Sequence, residues 1–181
     1  MNKNQNIAVI GLGYVGLPLS IEFGKKFRTV GYDINQNRIN ELSKGIDRTL
    51  ETTKSEIESA KKLIFTSQIN EISNCNIYII TVPTPVDKHN VPDMSPLASA
   101  SKSVGSVLNK NDLIIYESTV YPGATEEFCV PILEEESNLQ YNKDFFCGYS
   151  PERINPGDKN RTLTKIKKVT SGSNDKIATY V

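Results

Sequence analysis

Short apolar runs alternate along this chain with longer amphipathic stretches. Ile7–Ile10, Thr29–Asp33, Leu63–Thr66, Ile77–Val82, Leu113–Glu117 and Phe145–Tyr149 are rich in β-branched and aromatic residues, and Lys168–Ser171 offers one further candidate strand. Ile77-Tyr78-Ile79-Ile80 and Leu113-Ile114-Ile115-Tyr116 are apolar throughout, which predicts central parallel strands covered on both faces. Between the runs the period changes. Val15, Leu19, Phe23 and Phe27 recur every fourth residue and predict one apolar face of a helix, with Pro18 in its early turn, where a missing N–H is tolerated. Ser95-Pro96 predicts a helix start, with Ser95 as N-cap, running to Leu108. Thr53 and Glu56 have capping-box spacing for a short helix through Lys61. Strands alternating with helices predict an α/β fold, a doubly wound parallel sheet built as one domain over residues 1–181.

The last strand candidate leads into Ser173–Val181, where the chain stops inside what reads as a further helix, so the sequence is expected to be the front part of a longer protein. Twenty-one Lys and Arg balance 21 Asp and Glu, which argues against a nucleic-acid partner, because phosphate binding relies on excess cations. No apolar run is long enough for a membrane span, and Ile7–Gly11 is too short for the core of a secretory signal. A cytoplasmic location is therefore expected. Cys75, Cys129 and Cys147 are odd in number and lack CxxC spacing, so they are expected to be buried reduced thiols, neither disulfides nor metal ligands. His89 lies in a polar loop without a second ligand at metal spacing, and no metal site is expected.

Candidate chemistry collects where strands end. Gly11-Leu12-Gly13-Tyr14-Val15-Gly16 follows the first strand and opens a helix. In such a turn Gly11 permits a tight bend, Gly13 close approach of a pyrophosphate, and Gly16 close packing of helix on strand, while the helix N-terminus offers N–H groups. Asp33 ends the second strand, where a carboxylate accepts hydrogen bonds from a ribose diol and repels a 2′-phosphate. This is the Rossmann arrangement, and it favours NAD over NADP. Arg38 could stack on an adenine, or it could be a solvent-facing residue at a helix start. Thr84 sits in the stiff Thr81-Val82-Pro83-Thr84-Pro85 loop and Thr119 in Glu117-Ser118-Thr119; Thr119 could hold a cofactor amide or a water, and Ser118 could cap the next helix. In Tyr149-Ser150-Pro151-Glu152-Arg153-Ile154-Asn155-Pro156-Gly157-Asp158, Glu152 is a candidate base or substrate ligand, which Arg153 could alternatively neutralise.

With GLGYVGLPL, TVPTP, ESTVYPGAT and SPERINPGD in this order, the whole chain resembles the amino-terminal domain of the UDP-glucose/GDP-mannose dehydrogenases. The SPERINPGD form is most similar to members acting on UDP-N-acetylhexosamines, such as those for UDP-N-acetylgalactosamine or UDP-N-acetylmannosamine. The resemblance implies NAD-dependent oxidation of a UDP-sugar C6 alcohol to the carboxylate, with two NAD used in turn. It implies cofactor contacts from the glycine motif, including Tyr14 and Val15, and from Asp33, Arg38, Thr84 and Thr119. It gives Thr119 and Glu152 catalytic roles, and makes Glu152, Arg153, Ile154 and Asn155 line the substrate. Pro156 stands where the UDP-glucose branch has a second Glu, so that role does not carry over. The family's nucleophilic Cys, its Lys and Asn, the central helix that builds a homodimer and the sugar domain all belong beyond Val181. A stand-alone NAD-binding or sensing module without catalysis is the alternative.

Overall fold

The computed structural model describes residues 5–152 and 167–181. Its strands and helices follow one another as β1 (Asn6–Ile10), α1 (Gly16–Gly24), β2 (Arg28–Tyr32), α2 (Gln36–Leu42), α3 (Lys54–Ser59), β3 (Leu63–Thr66), β4 (Ile77–Ile80), α4 (Ser95–Gly105), β5 (Leu113–Tyr116), α5 (Val130–Ser137), β6 (Phe146–Tyr149), β7 (Ser171–Gly172) and α6 (Asp175–Tyr180). The sheet order is β3-β2-β1-β4-β5-β6-β7. Up to β6 all pairings are parallel, in the doubly wound order whose crevice opens between β1 and β4, where the winding reverses. The seventh strand departs from the expected all-parallel sheet. It spans two residues and pairs antiparallel to β6, Gly148 opposite Gly172.

The continuous apolar runs are buried on both faces because side chains alternate along a strand. From β1, β4 and β5, Ala8, Ile10, Tyr78, Ile80, Ile114 and Tyr116 pack with Leu97 and Val104 of α4 and Leu133 of α5. Their neighbours Ile7, Val9, Ile77, Ile79, Leu113 and Ile115 pack with Leu19 of α1 and Ile177 of α6 on the opposite face. A third cluster, with Leu12, Leu17, Ile39, Leu42 and Ile57, seats α2 and α3 against the start of α1.

Three local expectations change. The four-residue apolar period after β1 extends past the helix, which ends at Gly24, yet Phe27 still meets Phe23 with ring centroids 6.4 Å apart. In α4 the N-cap is Met94 rather than Ser95; Asp93 accepts the Ser95 N–H at 2.9 Å, and the helix stops at Gly105, short of Leu108. The Thr53–Glu56 capping box forms on both sides, although its helix ends at Ser59, before Lys61. Among the described residues no helix is long and apolar enough to cross a membrane.

Candidate functional site

Two glycines shape the turn after β1. Gly11 has φ +91°, a conformation that strains any residue with a side chain. At Gly16 a Cβ would stand 1.9 Å from the Gly11 carbonyl oxygen and 2.4 Å from Thr81 Oγ1, so the helix meets the turn only without one. Thr81 braces the turn from the end of β4, its Oγ1 donating toward the Ile10 and Gly11 carbonyls at 2.9 and 2.7 Å. Gly13 differs, since nothing lies within 4 Å of where its Cβ would be. That open space, ahead of the first N–H groups of α1, fits an approaching pyrophosphate.

Asp33, at the end of β2, accepts the Leu12 N–H on Oδ2 and the Asn35 N–H on Oδ1, both at 2.9 Å. Asp33 also lines the cleft, and each of its oxygens has acceptor capacity beyond these bonds. Arg38 is not a solvent-facing residue at a helix start. It is 5% exposed, with Nε donating to the Leu12 carbonyl at 2.9 Å and Nη2 to Asp47 Oδ1 at 2.8 Å. Burial of Asp47 alone would raise its carboxyl, but hydrogen bonds from Thr49, Arg38 and Thr52 outweigh it and hold the group below the ordinary carboxylate range. A lowered carboxyl stabilises the fold fully above its ordinary value, and that contribution is lost as pH falls through the lowered one. The melting-temperature gap between the protein and its Asp47→Asn variant is therefore expected to hold near neutrality and to narrow as pH falls below about 4, where an ordinary aspartate takes up its proton. A gap independent of pH would contradict this.

The carboxyl ends of β1, β2, β4 and β5 enclose a cleft of about 660 Å³, into which Gly13, Tyr14, Val15, Asp33, Thr119 and Glu152 all face. Cross-loop hydrogen bonds set its far wall. Thr84 Oγ1 donates to the Thr119 carbonyl at 2.6 Å, and Ser118 Oγ to the Val82 carbonyl at 2.6 Å. Ser118 thus ties the loop after β5 to the loop after β4 and caps no helix; the next helical residues, a π-helical turn at Thr125–Cys129, begin seven positions on. Thr84, Thr119 and Glu152 are brought together with the glycine turn, whereas Arg38 lies behind that turn and outside the lining. Arg153, Ile154 and Asn155 fall outside the described residues.

Sequence reasoning missed Glu117, which also lines the cleft and is 7% exposed. Burial raises its carboxyl, the Lys168 ammonium paired with it opposes the rise, and the nearby Glu152 adds to it. A charged residue ending an apolar strand was the available signal. Lys168 carried none, since its position beside Glu117 depends on the chain's return to the sheet edge at β7. Asp47 was hidden in a polar loop without periodicity.

The cysteines are buried, as expected. Burial pushes the Cys75 and Cys129 thiols up to about 11 and Cys147 well above the usual range, so none offers a ready thiolate. His89 is exposed. Among the described residues no group of three or more His, Cys, Asp or Glu is placed to hold a metal ion.

Residues 5–180 match the model of the UDP-glucose/GDP-mannose dehydrogenase family, NAD binding domain. The chain is similar to UDP-N-acetyl-D-glucosamine 6-dehydrogenase of Pseudomonas aeruginosa, at 60% identity over 179 residues, covering 99% of the chain and 42% of that relative. In three dimensions it is similar to the UDP-D-ManNAc dehydrogenase of Pyrococcus horikoshii, with a TM-score of 0.84 at 33% identity over 97% of this chain and 43% of that one. The NDP-N-acetyl-D-galactosaminuronic acid dehydrogenase of Methanosarcina mazei gives a TM-score of 0.86 at 26% identity, over 96% and 40% of the two chains. The chain thus spans about two fifths of the length of these relatives.

Proposed function

Because the chain belongs to the UDP-glucose/GDP-mannose dehydrogenase family, as its NAD-binding domain, we propose that the protein it belongs to oxidises the C6 alcohol of a UDP-N-acetylhexosamine to the carboxylate. The similarity that carries this reading is the 60% identity over 99% of the chain to a UDP-N-acetyl-D-glucosamine 6-dehydrogenase, which favours the gluco epimer over the galacto and manno sugars of more distant relatives. NAD supplies the hydride acceptor. The N–H groups of Gly13, Tyr14 and Val15 bind its pyrophosphate at the start of α1, and Asp33 accepts the hydroxyls of its adenosine ribose. Arg38 carries its charge behind the turn on the adenosine side. Thr84 and Thr119, joined across the two loops, bound the nicotinamide end of the cleft.

Glu152 also lines that cleft, where a carboxylate can take a proton from the sugar hydroxyl or orient a water for hydrolysis of the final acyl intermediate. Thr119 holds that water, and Arg153, Ile154 and Asn155 bind the sugar nucleotide. The thiolate nucleophile comes from outside Cys75, Cys129 and Cys147, whose raised thiols suit packing. The whole protein acts in the cytoplasm as a homodimer, with neither nucleic acid nor membrane as partner.

The test is NADH formation by the full-length protein with UDP-glucose and the three UDP-N-acetylhexosamines. UDP-N-acetylglucosamine is expected to give the highest kcat/KM. Turnover of UDP-glucose alone would overturn the substrate assignment, and binding of NAD with turnover of none would favour a sensing module.

A further inference from the structure

Asp47 lies outside the cleft, and its side chain is fully buried at 0% exposure. Its carboxylate is saturated by its own loop and by one cation. Oδ1 accepts from Arg38 Nη2 at 2.8 Å, Thr49 N at 3.0 Å and Thr49 Oγ1 at 2.7 Å. Oδ2 accepts from Glu51 N at 3.0 Å, Thr52 N at 3.0 Å and Thr52 Oγ1 at 3.2 Å. With so many donors in place the group has little capacity for a ligand. What it can do is hold the Arg38 guanidinium. That fork has two anchors, Asp47 on Nη2 and the Leu12 carbonyl on Nε, while Nη1 is buried with no hydrogen-bond partner among the described residues.

The Leu12 carbonyl shares a peptide plane with the Gly13 N–H, and in a trans peptide the two point in opposite directions. Arg38, pulling on that oxygen, turns the Gly13 N–H away from itself. The preceding peptide is held independently, its Leu12 N–H on Asp33 Oδ2. A peptide next to glycine is otherwise free to flip, since glycine accepts φ of either sign. We propose that Asp47 is a positioning residue for the dinucleotide: through Arg38 it fixes the Leu12–Gly13 peptide so that the Gly13 N–H is presented to the pyrophosphate. This rests on the reading of the cleft as the NAD site.

The experiment compares binding of NAD and of adenosine, which has no phosphate, by the protein and by Asp47→Asn, with melting temperatures recorded alongside. Asparagine keeps an acceptor but loses the charge that holds the fork. NAD is expected to weaken about tenfold, the scale of one hydrogen bond to a charged group, while adenosine affinity is retained. Equal losses for both ligands, or none for NAD, would overturn the proposal, because a purely structural role lowers the melting temperature without separating them. If the variant does not fold, hydrogen exchange on the unmodified protein decides. NAD is expected to slow exchange of the Glu51 and Thr52 amides, which bind Asp47 and lie off the cleft; unchanged exchange there would overturn it. Failure of the unmodified protein to bind NAD would remove the site reading and this proposal together, whereas NAD binding insensitive to Asp47 removes this proposal alone.

Discussion

Substituting Gly16→Ala is expected to destabilise the fold by about 3 kcal/mol or more and to abolish NAD binding. The new methyl would stand 1.9 Å from a backbone oxygen, that of Gly11, and 2.4 Å from Thr81 Oγ1. Neither neighbour can step aside cheaply. Gly11 is fixed by its positive φ and by the Thr81 hydroxyl, and Thr81 directly follows the buried strand β4. Relief requires either the turn or α1 to move, and both carry the N–H groups proposed to bind the pyrophosphate. Gly13→Ala provides the contrast. Its methyl meets no atom within 4 Å, so stability should change by about 1 kcal/mol at most. Binding should still fall, because the methyl occupies the pyrophosphate's approach. Thermal melts and NAD titrations of the two variants separate these effects; normal binding by Gly13→Ala would contradict the reading of that open space.

The second large effect is expected of Glu152→Gln in the full-length protein. Glutamine keeps the size and much of the hydrogen bonding of the side chain but cannot take a proton. If Glu152 serves as base or holds the water, kcat should fall by about a hundredfold or more, the usual contribution of a positioned acid or base, with a much smaller change in KM. Steady-state kinetics with saturating NAD measure both. A variant that kept kcat and lost only KM would make Glu152 a substrate ligand and transfer the proton chemistry elsewhere, with Glu117 the nearest other carboxylate described in the cleft.

Most of the fold could be read from residue order, since strands buried on both faces and glycines at fixed spacing are local signals. Ile77-Tyr78-Ile79-Ile80 became the full length of β4, and the glycine motif lies between β1 and α1 as its spacing requires. Features that depend on distant partners could not be read. Arg38 looked as free for stacking as for solvent, and only the fold brings Asp47 and the Leu12 carbonyl to it. Ser118 resembled a cap because it precedes a helix, yet its nearest acceptor is on a loop 36 residues away. The antiparallel β7 depends on the chain turning back against β6, which no local pattern encodes.

If the cleft at the β1/β4 switch point binds NAD and Asp33 selects it, removing that carboxylate must change which cofactor is preferred. Calorimetric titration of the protein with NAD and with NADP, repeated on Asp33→Ala, tests this most directly. One NAD per chain is expected, with weaker NADP because its 2′-phosphate meets the Asp33 carboxylate, and a variant with reduced NAD affinity and a smaller gap between the two cofactors. A folded protein that binds no NAD, or one whose preference is unchanged without Asp33, would contradict it.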